Sequence, residues 1–537
     1  MHILKYVFLV VSLFSNLLYK QNFRENESSN FINKIICENF DYSTMENKSN
    51  HENNNENFQL LVKFNYETII SNELNNDKER KEEFERLKEY YYTKNCEIVK
   101  NIELNLFDDY YISKYSPFIS ITSQNNELFN DNLMNIANDD NVENIYVNIK
   151  HNNEENVISA LNYIDFKNYL NNEQYDAEGV TVGILEPGIV DKNHKNLANS
   201  NLVVRDEWYY KETVTEHATM IASVISGENG IAKKCKLLSV ELSGDAISEI
   251  DWLIDNGVNV INCSYGDKNP TGKYSSKSAY MDYISSTYKI TFIASSGNTG
   301  DTNSYVSNPG LGYNVITIGA CNSTSGVNTK FSSFNVIDGP RKPNIVAPGD
   351  NLRISNFNNR YSGTSLSAAI VTGCVAALMK KDTLLKYHPE RVASRLYAYS
   401  NNPNSSFFGN GFDNYVGAGV INFNNIIELK SERNYYINKN DNSRTFSVNL
   451  NANDEFRLVL SCLANANGNA SGTRYSDYNI YLYDSNNNLV NYEATNVDTL
   501  ELLEMKITKT DTYTIKIIRN NEMPYDYEYI SVNYCIK

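Results

Sequence analysis

The chain has 537 residues, 12% of them aromatic, and a formal net charge of −17. That length provides for about two to four domains and a large core, and the aromatic content excludes a wholly disordered chain. The negative charge excludes nucleic acid and anionic membrane surfaces as natural partners.

At the N-terminus Lys5 precedes an apolar run from Tyr6 to Leu18, broken by Ser12, Ser15 and Asn16. The run is too short to span a bilayer as a mature helix and has the shape of a secretory h-region, so residues 1–20 are expected to be a signal peptide. The expected address is extracellular or cell-surface, with no membrane span once the signal is removed. No small-x-small cleavage site follows, and an uncleaved anchor stays open. Residues 21–57 are dense in Asn, Glu and Ser and are expected to form a flexible lead-in, because such a segment buries too little apolar surface to offset chain entropy.

Residues 58–150 predict a small α+β unit. Phe58–Phe64 reads as a strand, Asp77–Tyr92 as a charged helix and Phe118–Ile121 as a second strand. Leu128, Leu133, Ile136 and Ala137 suggest a helix, and Val142–Ile149 a closing strand.

Beyond Asp176 the pattern changes to apolar strands alternating with helices. The strands are Val180–Leu185, Leu237–Leu242, Val258–Ser264, Ile290–Ser295 and Val315–Ala320. Ala246–Asn256 reads as a helix with Ile247, Ile250 and Ile254 on one face and Gly257 at its C-terminal end. Such alternation predicts an α/β domain with a parallel sheet, whose ligands bind at the carboxyl ends of the strands. Two strands end on residues of chemical interest, one running into Glu186-Pro187-Gly188 and the other from Ser295 into Ser296-Gly297-Asn298.

Of six histidines, His217 is the best general-base candidate, because it alone precedes an apolar, small-residue helix. Tyr361-Ser362-Gly363-Thr364-Ser365 is a polar turn feeding a long run of small and apolar residues, Leu366 to Met379. It places Ser365 at a helix N-terminus, where unpaired N–H groups and the helix dipole favour a developing negative charge. On its own this stretch fits a helix cap as well as a nucleophile.

Taken together, these motifs resemble those of the subtilisin-like serine peptidases. Gly363-Thr364-Ser365 is similar to the family's nucleophile turn, with Ala369 where a proline is usual, and His217-Ala218-Thr219 resembles its His-Gly-Thr. Ser295-Ser296-Gly297-Asn298 and Val260-Ile261-Asn262-Cys263-Ser264-Tyr265-Gly266 are similar to its oxyanion and substrate-edge segments. Lys342-Pro343-Asn344-Ile345-Val346-Ala347-Pro348-Gly349 resembles the segment before the serine turn. The order acid, histidine, asparagine, serine is also the family's, and the resemblance covers roughly residues 160–428.

The resemblance implies a serine endopeptidase with Ser365 as nucleophile, His217 as base and Asn298 as oxyanion donor. Ser264, Tyr265, Gly266, Ser295, Ser296 and Gly297 would edge the substrate cleft. Glu186 would be the acid, a departure from the usual Asp that lengthens the arm by one methylene, so the backbone or His217 would have to shift; Asp191 is the alternative acid. A catalytically inactive binding or scaffolding relative is the alternative reading of the whole. The resemblance further implies that residues 58–150 are an inhibitory propeptide, as against an independent accessory domain. Protein or peptide would be the substrate and the chain's own propeptide a partner.

Residues 432–537 alternate with a two-residue period in Phe446–Leu450, Phe456–Leu460, Tyr478–Tyr483 and Thr512–Ile518, which predicts an all-β sandwich. Eight widely scattered cysteines lack any Cys-x-x-Cys pair and support neither a zinc nor a redox motif. Cys462 and Cys535 are the candidate disulfide pair of an exported domain. The proposed chemistry needs no cofactor and no catalytic metal. Acidic clusters leave room for structural calcium, although no ligand-spaced loop stands out.

Overall fold

A computed structural model describes residues 157–537 apart from 206–212, 243–245, 402–410, 429–430, 465–474 and 524–526. Before residue 157 it describes 35–37, 57–65, 86, 89–90, 92–100, 102, 109–112, 118–123, 136 and 139–150. The expected signal peptide, most of the expected helix at Asp77–Tyr92 and most of that around Leu128–Ala137 lie outside the described residues. The chain divides into two compact units, residues 1–153 and 154–537.

The first unit contains a five-stranded sheet made of β1 (Ile35–Cys37), β2 (Asn57–Phe64), β3 (Asp109–Ile112), β4 (Phe118–Ser123) and β5 (Val142–Lys150). Their order across the sheet is β1-β5-β2-β4-β3. The three strands expected from sequence form its centre. The two additional ones lie at the edges, where short strands leave weak local patterns. One of them, β1, falls within the segment expected to be a flexible lead-in and pairs in parallel with β5.

The second unit is built on a seven-stranded, all-parallel sheet. Its strands are β6 (Thr181–Glu186), β7 (Asn201–Val204), β8 (Lys236–Glu241), β9 (Val260–Cys263), β10 (Thr291–Ser295), β11 (Val315–Cys321) and β12 (Ile345–Pro348). The spatial order is β12-β11-β10-β9-β6-β8-β7. Nearly every residue of the central strands is buried, as expected of a sheet covered on both faces.

Helices α1 (Val157–Tyr163), α2 (Glu216–Ser226), α3 (Ile247–Asp255), α4 (Ser276–Tyr288), α5 (Thr364–Lys381), α6 (Pro389–Ala398) and α7 (Phe423–Ile427) surround it. Helix α5 is apolar on every side, and its residues Leu366–Met379 are all buried, so it runs through the core rather than over it. A small hairpin of β13 (Leu352–Arg353) and β14 (Arg360–Tyr361) leads into it.

The C-terminal region forms two four-stranded antiparallel sheets around a shared apolar core, a β-sandwich as expected. One holds β15 (Glu432–Asn438), β17 (Glu455–Ser461), β20 (Leu500–Lys506) and β22 (Tyr527–Ile536). The other holds β16 (Ser443–Leu450), β18 (Tyr478–Tyr483), β19 (Leu489–Glu493) and β21 (Asp511–Arg519).

The first of these sheets packs on α6. Arg395 and Arg391 bind Glu432, the Ser394 hydroxyl donates to Ser531 Oγ at 2.8 Å, and buried Arg457 donates to the carbonyls of Tyr397 and Ser400 at 2.9 and 2.7 Å. Val459, Leu500 and Leu502 join the same apolar cluster as the helices of the parallel sheet.

The expected Cys462–Cys535 disulfide does not form, and both are free thiols. Cys535 pairs across the β17–β22 ladder with Arg457, five residues before Cys462. That offset corresponds to about 17 Å along the strand, whereas a disulfide needs Cα atoms within about 7 Å.

Candidate active site

The site forms where β6, β9 and β10, three neighbours at the centre of the sheet, present their carboxyl ends to α2 and α5. Glu186 is the last residue of β6 and is fully buried. Its Oε1 accepts the Ser264 N–H at 2.7 Å and the Asn262 amide at 3.4 Å, and its Oε2 lies 3.2 Å from Nδ1 of His217. The extra methylene of glutamate is therefore accommodated with the carboxylate at the imidazole. Asp191, the alternative acid, instead caps a local turn by accepting the Asn193 N–H at 2.9 Å.

His217 sits in the first turn of α2. The helix is capped by Thr215, whose hydroxyl accepts the Ala218 N–H at 3.3 Å. Burial pushes the Glu186 carboxyl above its ordinary range, against the pull of the imidazole and the Ser264 N–H. Burial depresses His217, but the adjoining carboxylate outweighs it and lifts the imidazole above its ordinary 6.5.

Ser365 is the second residue of α5. Gly363 is the N-cap and offers no side-chain cap, so the capping role that the sequence left open for Ser365 is not the one it plays. Its hydroxyl donates to the Ser264 carbonyl at 3.1 Å, and the Ser264 hydroxyl returns a bond to the Ser365 carbonyl at 2.9 Å. Asn298 follows β10. Its Oδ1 accepts both the N–H and the hydroxyl of Thr364, at 2.9 and 3.0 Å, which fixes the amide plane. Nδ2 faces the turn, 3.5 Å from where a Cβ on Gly363 would stand, and takes no partner among the described residues.

Two supports of this site carried no assigned role in the sequence reading. Asn262, fully buried in β9, donates to Ser264 Oγ at 2.9 Å and accepts the Thr372 hydroxyl of α5 at 3.0 Å, so it ties β9 to α5. A lone amide in the run Val260-Ile261-Asn262-Cys263 is the signal for it, since a buried polar side chain must find partners. Tyr361 spans the mouth and donates its hydroxyl to Glu216, the neighbour of His217. Among the described residues no group of three His, Cys, Asp or Glu side chains is placed to hold a metal ion.

The sequence profile of the Subtilase family matches residues 177–419, the stretch that carries every residue of this site. Residues 177–419 are therefore similar to the subtilase family. Subtilisin NAT of Bacillus subtilis subsp. natto is 28% identical over 279 residues, covering 47% of this chain and 67% of that protein. Subtilisin DY of Bacillus licheniformis is 27% identical over 269 residues, covering 46% of this chain and 90% of its own. Among solved structures, that of the prenylagaramide maturation protease PagA matches at 26% identity with a TM-score of 0.38, covering 46% of this chain and 93% of its own. The subtilase unit is thus a serine endopeptidase on a parallel seven-stranded sheet.

Proposed function

We propose that the protein is a secreted endopeptidase that cleaves peptide bonds through an acyl-enzyme, with Glu186, His217 and Ser365 as its triad. The observation that carries this reading is the 3.2 Å approach of the buried Glu186 carboxylate to Nδ1 of His217, beside a serine at the head of a buried helix. Ser365 Oγ leaves the Ser264 carbonyl, passes its proton to Nε2 of His217 and attacks the substrate carbonyl carbon. Asn298 Nδ2 and the Ser365 N–H receive the oxyanion. The imidazolium, stabilised by Glu186, protonates the leaving amine, and water then releases the acid by the reverse sequence. No cofactor enters any step.

Residues 58–150 act as the inhibitory propeptide. The support is their place in the chain, before the peptidase and in a separate compact unit, whose sheet β1 joins from before residue 58. Ser264–Gly266 and Ser295–Gly297 edge the cleft and bind the substrate backbone.

One observation favours a second reading, an inactive binding protein: Ser365 Oγ donates to a carbonyl rather than to the imidazole. Labelling of purified protein by a fluorophosphonate, with intact mass read before and after incubation, separates the two. Labelling of wild type but not Ser365→Ala, with loss of an N-terminal fragment, supports the peptidase. Folded wild type that stays unlabelled after its N-terminal unit has been removed with another protease would overturn it.

A further inference from the structure

We propose that Ser307 closes the floor of the subsite for the side chain preceding the scissile bond, so that the enzyme cleaves after small residues: glycine, alanine or serine. The inference rests on the peptidase reading above.

Strands β9 and β10 pair in parallel from Val260–Thr291 to Cys263–Ala294, and the segments that follow, Ser264–Gly266 and Ser295–Gly297, leave the sheet side by side. Ser264 touches the Ser365 hydroxyl, and Asn298 follows Gly297 directly. A substrate carbonyl lying between Ser365 Oγ and Asn298 Nδ2 therefore brings its own side chain to the crevice between these two segments.

Ser307 fills that crevice from below. It is buried, its N–H donates to the Ser296 carbonyl at 3.0 Å, and its hydroxyl accepts the N–H of Asp267, so it staples one edge to the other. A methyl group added at Gly266 would stand 2.4 Å from Ser307 Oγ and 2.7 Å from its Cβ. One added at Gly297 would stand 3.6 Å from the same Cβ. Both edges are thus at or inside van der Waals contact with one side chain. Nor can that side chain retreat. The next residue, Asn308, donates from both nitrogens to Asp267 Oδ2 at 3.2 and 3.0 Å and accepts the Ser278 hydroxyl at 2.6 Å. A long or aromatic side chain has no depth to enter, and close-packed walls do not yield to one methylene without loss.

The test reads the subsite in two independent ways. In hydrolysis, peptides differing only at the residue before the cleaved bond give kcat/KM values. In binding, product-like peptides ending in Ala or Phe are titrated into Ser365→Ala. Wild type is expected to favour Ala over Phe and Leu by tenfold or more, about the discrimination that a filled pocket achieves. Ser307→Gly is expected to raise the ratio of kcat/KM for Phe or Leu to that for Ala at least tenfold. Ser307→Thr is expected to shift preference from Ala towards Gly, which keeps the inference testable if the glycine variant does not fold. Equal use of Ala and Phe by wild type, or a profile unmoved by both substitutions, would overturn it. If nothing is hydrolysed but Ala-ended peptides still bind tenfold tighter than Phe-ended ones, the peptidase reading falls and the subsite inference stands.

Discussion

Glu186 reaches Nδ1 of His217 at 3.2 Å with a side chain one methylene longer than aspartate, while its other oxygen is held by the Ser264 N–H at 2.7 Å. The strand and α2 are therefore spaced for glutamate. Replacement by the family's usual residue, Glu186→Asp, would withdraw the carboxylate about 1.5 Å from both partners. The expected outcome is a fall in kcat/KM on the order of 10- to 100-fold, as misplacement of this size generally produces. Activity equal to or above wild type would show that the backbone closes the gap.

The pH profile follows from the same pair. If His217 is the base, as proposed, it must be neutral to act, so activity rises with pH through its pKa, which Glu186 lifts above 6.5 by stabilising the protonated ring. The acid limb of kcat/KM is expected to have its midpoint above 6.5. In Glu186→Gln the carboxylate is gone, so the midpoint should move down while kcat drops on the order of 10,000-fold. An unshifted midpoint in that variant would assign the limb to another group.

For the proposed oxyanion donor, Asn298→Asp is the informative change. It keeps the Oδ1 that anchors Thr364 and removes Nδ2. At least a roughly 100-fold loss of kcat is expected, in line with the 100- to 1000-fold range known for a subtilisin's own oxyanion asparagine. Thermal unfolding should stay close to wild type, whereas an equal loss of stability and activity would make Asn298 a structural residue only.

Acid stability is expected to depend on the junction between α6 and the C-terminal sheets. Burial alone would raise the Glu432 carboxyl, but forked hydrogen bonds from Arg395 and Arg391 at 2.7–3.1 Å outweigh it and hold it down at about 2. A carboxyl depressed from its ordinary 4.5 contributes stability that is complete above 4.5 and is lost as pH falls towards 2. Glu432→Gln should therefore destabilise the protein by about 2–3 kcal/mol at pH 7. It should also flatten the slope of stability between pH 4.5 and 2, both read by denaturant titration.

The central strands and α5 were legible because burial on both faces writes long apolar runs into the sequence. Glu186, His217, Asn298 and Ser365 were legible as candidates because each stands where such a run begins or ends. What the sequence did not disclose depends on distant partners. Strand β1 exists through its pairing with β5, and β15 and β22 pair with each other across most of the C-terminal region. The floor made by Ser307 arises from a contact with Gly266, a residue in a different loop. The missing disulfide has the same cause: strand register, invisible in cysteine spacing, carried Cys462 and Cys535 apart.

The docking of β22 on α6 sets an order of events during synthesis. Ser394 and its partner Ser531 are 137 residues apart, and Arg457 completes the carbonyls at the far end of the same helix. While a ribosome is still making the sandwich, Glu186, His217 and Ser365 have all emerged, yet α6 lacks the neighbours that cover it. The parallel-sheet unit therefore has one helix face that is covered only after nearly every later strand is translated, so its folding is tied to that of the sandwich.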